Sequence, residues 1–588
     1  MKLYKLSLAL FLGFGAMSMT SCEDKLEVTN PNEQTTGTFG FTSDDLEECV
    51  IAAYHDLRME GSTGRVGYTI DAVRGDEVWN SSQVWYMPFD DMNDPVTDEI
   101  SFWPWREYYY AINVCNFILS RTTGDNAQLS ESMKRIKGQA LFIRGFAYYN
   151  LVGYYKDVPL ITDYSTYSSL DGLYGANNTS DEVLDQVEKD LKEAMELLPN
   201  RQAGGEWAKG RATCGAAAGY YARTLMFRHK YSEALDVLKD IIGGTKYGKY
   251  KLMANYGDNF REGSAYENND ESLFEVQYLD YGTQGVDDEW TPVNVSPNAT
   301  QGHAVESNFA PGDFGGWADL SASPWLYNLF KEERTTAGKL DPRLYWTLGT
   351  YEKEWEGFEK GNVAYTKKIT ATDTLRTNNN YGGIPIAKWT NMRTGLYSSV
   401  ATGLRCGINL RMMRYSDVLL RAAECENEVN GPTEQAIKWI NEVRQRAGLA
   451  DLKLEDFNTK DKLFEQIANV ERPKEFGCEN GRGMDLIRWG FFYDNGRLDQ
   501  LKEHGTFYKN KTIDVKTPVT YAQTKTDPEH VKSSYDTYLP GHEFLPIFQT
   551  LLNNNPNLKG NSANDGIDNS TDFFGRGWTV HPVVNLSK

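Results

Sequence analysis

The sequence predicts a mainly α-helical protein: about four tetratricopeptide-like helical hairpins forming one frame, decorated by long irregular loops and short strands. Three observations predict it. Apolar residues recur at helical spacing in several separate blocks. Two pairs of these blocks are joined by tight turns and read as hairpins. Between the blocks lie long stretches rich in Gly, Asn, Asp, Trp and Tyr with no sustained period. The composition fits such a chain. With 588 residues and 40% hydrophobic content it can bury a large core, and global disorder is excluded. A formal net charge of -21 argues against nucleic acid as a partner, because phosphate neutralisation needs clustered Lys and Arg. The 14 Trp, 35 Tyr and 26 Phe are many for so acidic a chain, and suggest that some rings serve the surface.

The N-terminus reads as an export signal. Lys2 and Lys5 precede an apolar run from Leu6 to Met19, too short to span a membrane and of the right length for a signal core. Small Thr20 and Ser21 then precede Cys22, which is expected to be lipidated after removal of residues 1–21. The competing reading is an ordinary secretory signal in which Cys22 is incidental. Residues 22–45 are expected to form a polar tether and 46–588 a single domain. None of Cys49, Cys115, Cys214, Cys406, Cys425 and Cys478 forms a CxxC pair. Several sit in helical patterns, so they are expected to be mostly unpaired core residues.

The elements follow in order. Residues 44–59 carry Leu46, Val50, Ala53 and Leu57 on one stripe. Helical patterns return at 104–121, 131–154, 181–198, 211–228 and 231–242. Thr179 and Glu182 have capping-box spacing, with Pro199 past the helix end. The pair 211–228 and 231–242 turns at His229 and Lys230. It sets Ala217 beside Tyr220 and Tyr221, then Tyr231 with Ala234 and Leu235, which is how tetratricopeptide helices interlock. A second pair, 414–428 and 433–446, turns at Asn430-Gly431-Pro432. The helical frame thus occupies mainly 46–60, 104–242 and 405–490. The excursions are 61–103, 245–404 and 503–588. Loops of that length are usually functional or disordered, and their ring content argues against disorder.

Five separated motifs stand in order on this frame: the signal ending at Cys22; ALFIRGFAYYNLVGYYKDVPLI (140–161); RYSDVLLRAAECENEVNG (414–431) with AIKWINEVRQRAGL (436–449); VERPKEFGCENGRGMDLIRWG (470–490); and FLPIFQTLLNNNPNLKGN (544–561). Together they resemble the SusD/RagB family of outer-membrane nutrient-binding lipoproteins over nearly the whole chain. Pro473 and Gly477 depart from the family's smoother helix there, and Phe548 and Leu551 stand where Pro and an acidic residue are commoner. The resemblance implies four tetratricopeptide-like hairpins, an oligosaccharide or peptide ligand held at the cell surface, and a TonB-dependent SusC-like transporter as partner. It implies neither an enzyme nor a cofactor.

Other chemistries find little support. Glu471, Glu475 and Glu479 share a helix face, but interleaved Arg472, Arg482 and Arg488 would lower their pKa values, the opposite of what a general acid needs. A structural ion-pair network is expected. Seven scattered His residues and the absence of HExxH, GxSxG and GxxxxGK[ST] leave only a glycosidase pair of distant carboxylates as a remote enzymatic alternative. Asp90 to Asp94 fails the EF-hand pattern, which would place Gly and Glu where Pro95 and Ser101 stand, and a solvated loop is expected. The remaining candidates are aromatic loops. Flat rings suit the apolar C–H faces of sugars, and amides and carboxylates suit the hydroxyls. Loop 76–91 offers Trp79, Asn80, Trp85 and Tyr86. Excursion 278–327 offers Tyr281, Trp290 and Trp317, the last after Gly315-Gly316. The competing reading for each ring is packing under a long loop.

Overall fold

The computed structural model describes residues 42–81, 83–169, 172, 174–279, 302–310, 315–349, 384–393, 406–479, 481–508, 519–565 and 579–586. The expected signal, tether and Cys22 lie outside them.

Among the described residues, eight helices build the frame: α1 (Ser43–Asp56), α2 (Trp103–Arg121), α3 (Glu131–Tyr155), α4 (Ser180–Leu197), α5 (Cys214–Phe227), α6 (Tyr231–Gly243), α7 (Tyr415–Asn430) and α8 (Glu434–Arg446). Each packs on the next, α1 on α2 through to α7 on α8, giving four consecutive hairpins. The expected mainly helical, tetratricopeptide-like frame is what the chain forms.

Local chemistry explains the ends. Thr42 and Asp45 close a capping box at the start of α1, and Thr179 and Glu182 do so at α4. Ser130, Thr213 and Thr433 cap α3, α5 and α8. The predicted stripe of Leu46, Val50, Ala53 and Leu57 is fully buried against α2 and α3. Helix α3 lies between α2 and α4 and is buried on nearly all sides beyond Ile136. Glycine permits the approach to α4: a Cβ on Gly145 would stand 3.1 Å from Leu191. Arg144 and Asp190 bind side-on across the same interface, with two contacts of 2.7 Å.

Among the described residues, three two-stranded antiparallel ladders pin the excursions. Strand β1 (Val78–Asn80) pairs β3 (Leu320–Ala322), with Trp79 opposite Ser321. Strand β2 (Ser272–Val276) pairs β4 (Leu410–Arg414), which runs straight into α7. Strand β5 (Thr506–Tyr508) pairs β6 (Val531–Ser533). One contiguous buried apolar cluster reaches from Leu46 to Leu558.

Several expectations are corrected. The loop expected over 61–103 contains a helix, Val66–Val73, buried at every position. It is only eight residues long and has no exposed face, too short a run for a helical period to mark it in the sequence. Asp90 and Asp94 are not in a solvated loop: they are 3% and 5% exposed. Asp94 binds Arg74 at 2.6 Å, and burial together with nearby Asp91 pushes the Asp90 carboxyl up to about 7. Six cysteines, Cys49, Cys115, Cys214, Cys406, Cys425 and Cys478, are free and buried, as expected. The expected ion-pair network over 471–488 is present and deeply buried. Burial would raise the Glu475 carboxyl, but Arg446, Arg414 and Arg343 outweigh it and hold it far below the usual carboxylate range.

The segment 579–586 closes over this layer. His581 Nδ1 lies 2.6 Å from Asp461 and Nε2 lies 2.6 Å from Glu428, while the ring stacks on Phe464. Two carboxylate partners require both ring nitrogens to donate, so the imidazolium is the bound form. Burial lowers its pKa, but the two carboxylates outweigh that and raise it. A raised pKa gives stability that is complete below the unfolded value of about 6.5 and is lost as pH climbs through the folded value. His581→Gln is therefore expected to lower the urea midpoint clearly at pH 6 and much less at pH 9.

Candidate functional site

The β1·β3 ladder brings the two aromatic stretches together although they are far apart in the chain. Beyond β1, Asn80 braces a turn: its Nδ2 donates to the Gln83 carbonyl at 2.7 Å and its Oδ1 accepts from the Gln83 N–H at 3.0 Å. The Asn80 N–H donates to Asp90 at 3.1 Å. The chain then enters a 3₁₀ turn, Val84–Tyr86, and a short helix, Met87–Asp90. Trp85 is half-buried here, between Val84 and Met87, which are 76% and 45% exposed.

Ahead of β3, Gly315 takes a φ of 79° and a Cβ on Gly316 would lie 2.0 Å from the Ala310 carbonyl oxygen. Only glycine fits both conditions. The Trp317 N–H donates to the Ser307 carbonyl at 2.7 Å, and this fixes a half-buried Trp317 at the same surface. Between the two rings lies Arg65. Its guanidinium carbon is 5.1 Å from the Trp85 ring centre and 5.3 Å from that of Trp317. Arg65 Nε also stands 3.0 Å from the buried Glu60 carboxylate, so its charge is already matched. The result is a small platform of two tryptophans on a neutralised cation, rimmed by apolar Val84 and Met87.

Two expected ligand residues are corrected. Trp79 is 1% exposed: its ring stacks on Phe507 at 3.9 Å and 12°, and its Nε1 donates to the Ala322 carbonyl. Tyr86 is fully buried, stacked under Trp85 at 3.7 Å, with its hydroxyl bonded to Thr69 and Asn308. Both support the platform from beneath because the strand and turn point them inward. Asn80 is half-buried and committed to its turn. Tyr281 and Trp290 lie outside the described residues. Sequence reasoning missed Arg65, Val84 and Met87. Arg65 comes from the N-terminal end of the buried Val66–Val73 helix, and no local pattern links it to either tryptophan. No group of carboxylates, His and Cys placed to hold a metal occurs among the described residues.

Known proteins share this architecture. The SusD family model matches residues 270–565, and a model described as starch-binding associating with outer membrane matches residues 24–226. SusD-like protein P25 of Formosa agariphila is 25% identical over 572 residues, 91% of this chain and 98% of its own. SusD-like protein P2 of the same organism is 24% identical over 506 residues, 83% of this chain and 91% of its own. Among solved structures, a SusD homologue from Bacteroides thetaiotaomicron has a TM-score of 0.70 at 18% identity, covering 90% of this chain and 99% of that one. Surface glycan-binding protein A from Bacteroides thetaiotaomicron, solved with laminarihexaose, has a TM-score of 0.63 at 22% identity, covering 88% and 99%. The architecture and the matched family models together make this chain a member of the SusD family.

Proposed function

We propose that the protein is a non-catalytic glycan-binding lipoprotein of the outer-membrane surface. It captures an oligosaccharide on Trp85 and Trp317 and passes it to a TonB-dependent SusC-like transporter. Cys22 carries the lipid, residues 22–45 are the tether, and residues 46–588 act as one binding body. The observation that carries the reading is the pair of half-buried indoles set around one matched cation at the surface. The exposed apolar surface of such half-buried rings suits sugar C–H groups, and held aromatics lose little conformational freedom on binding. A relative of the same fold is described as bound to laminarihexaose, and a matching family model as associating with the outer membrane.

Calorimetry with laminarihexaose and maltoheptaose tests it. Trp85→Ala and Trp317→Ala are each expected to weaken binding by about 30-fold, about 2 kcal/mol, with only a modest drop in melting temperature that leaves the protein folded at the assay temperature. Binding of peptides and no glycan would replace the sugar by a peptide. Turnover by the purified protein, lost on changing one carboxylate, would replace the binding role by hydrolysis. Cys22→Ala is expected to release the protein from the membrane fraction.

A further inference from the structure

The β1·β3 ladder fixes the platform only at its base. Trp85 stands five residues beyond β1 and Trp317 three residues ahead of β3, so the ladder alone does not set how the two rings lie. A second connection runs beneath them through Tyr86. Its hydroxyl meets Thr69 Oγ1 at 2.5 Å and Asn308 Nδ2 at 2.6 Å. All three side chains are fully buried.

The direction of each bond follows from the protons available. Thr69 has one hydroxyl proton and donates it to the Arg65 carbonyl at 2.9 Å. Thr69 Oγ1 therefore accepts from the Tyr86 hydroxyl, whose oxygen in turn accepts from Asn308 Nδ2. The relay runs from Asn308 through Tyr86 and Thr69 to the backbone of Arg65. Asn308 Oδ1 has no hydrogen-bond partner among the described residues, so the buried amide is joined to the fold through Nδ2.

Each end of the relay holds one part of the platform. Arg65 opens the Val66–Val73 helix that carries Thr69, and its guanidinium lies between the two indoles. Asn308 lies on a short helix, Val305–Phe309. In that helix the Ser307 carbonyl accepts the Trp317 N–H at 2.7 Å, and just past it the Ala310 carbonyl accepts the Ala318 N–H at 3.0 Å. The Tyr86 ring itself stacks under Trp85 at 3.7 Å. One phenol thus joins the three segments that carry Trp85, Trp317 and Arg65.

We propose that the Tyr86 hydroxyl is a positioning group that locks Trp85, Trp317 and Arg65 into one preorganised unit. The inference rests on the glycan reading above and adds a residue that never touches the ligand. The aromatic ring alone would keep Trp85 stacked. The hydroxyl adds the tie to the other two segments, and rings held in place before binding lose less order when a sugar arrives.

The test combines calorimetry against laminarihexaose and maltoheptaose with amide hydrogen exchange of the ligand-free protein. Tyr86→Phe keeps the ring and removes the relay. It is expected to weaken glycan binding by about fivefold. It is also expected to speed exchange in 65–70 and 304–318, neither of which contains Tyr86. A control separates positioning from plain stability. Tyr148→Phe removes a buried hydroxyl of the frame that accepts the Ile161 N–H at 2.7 Å. It should lower the urea midpoint comparably and leave both the affinity and the two segments unchanged. Thr69→Val, which keeps the shape and breaks the relay, should weaken binding as Tyr86→Phe does, and decides the matter if Tyr86→Phe does not fold. Unchanged exchange in both segments overturns the proposal. So does unchanged affinity in Tyr86→Phe where Trp85→Ala and Trp317→Ala lose theirs. A native protein that binds no glycan overturns the glycan reading instead, and exchange alone then decides whether the hydroxyl sets the rings.

Discussion

Arg414→Met is expected to lower the stability of the fold by about 3–5 kcal/mol, read as a large drop in the urea midpoint. Arg414 ends β4, is 1% exposed and reaches Glu271 at 2.7 Å, Glu475 at 2.9 Å and Glu479 at 2.7 Å. It also donates to the Glu475 carbonyl at 3.1 Å and to Ser416 at 2.7 Å. Methionine keeps the bulk and removes every one of these bonds. Three buried carboxylates then share fewer cations, and one must take up a proton or remain poorly matched. The sign of the pH effect follows. The Glu475 carboxyl is held below its usual range, so its contribution is present above the unfolded value of about 4.3 and is lost as pH falls toward the folded value. The gap between native protein and variant should therefore be widest near neutrality and shrink in acid. Lys134→Met, which breaks an exposed i,i+3 contact with Glu131, should leave the midpoint unmoved.

Trp79→Ala is expected to cost about 3–5 kcal/mol, as for other large aromatic side chains removed from a core. The substitution empties the slot between β1 and Phe507 and deletes the Nε1 bond to Ala322 across the ladder. Trp79→Phe keeps a stacked ring and should lose well under half as much. The two variants also separate support from contact. Trp79→Ala should weaken glycan binding only in step with its loss of stability, because the ladder beneath the platform loosens. Trp85→Ala should weaken binding by far more than its smaller loss of stability accounts for. Paired calorimetry and urea titration on both variants make the distinction.

Most of the frame was legible because its helices are long and, apart from α3 and α5, amphipathic. The stripe of Leu46, Val50, Ala53 and Leu57, the Thr179–Glu182 box and the His229–Lys230 turn are local signals, and the helices end within about three residues of where they point. The Val66–Val73 helix was not legible: eight residues give barely two turns, buried on every side, too short a run for a period to show. The platform was legible in part. Both loops were identified, but whether a ring faces in or out depends on strand register and on partners elsewhere in the chain. Trp79 faces Phe507, whereas Trp85 faces Arg65, and no spacing within residues 76–91 distinguishes them. The ion-pair network over 471–488 could be read as structural from its alternating charges. Its partners Arg223, Arg414 and Arg421 could not, because they arrive from other elements.

Helices α6 and α7 are neighbours in space, yet a long stretch of chain separates them. That stretch leaves the frame after Val276 and returns at Leu410, and those two residues are partners in the β2·β4 ladder. The ends of the excursion are thus held side by side whatever lies between. Closing such a loop costs entropy that grows only with the logarithm of its length, about 0.6 kcal/mol for each doubling. Outside its buried residues, the region that carries Trp317 can therefore change length at a small loop-closure cost, while β3 and its core side chains stay tied to the scaffold.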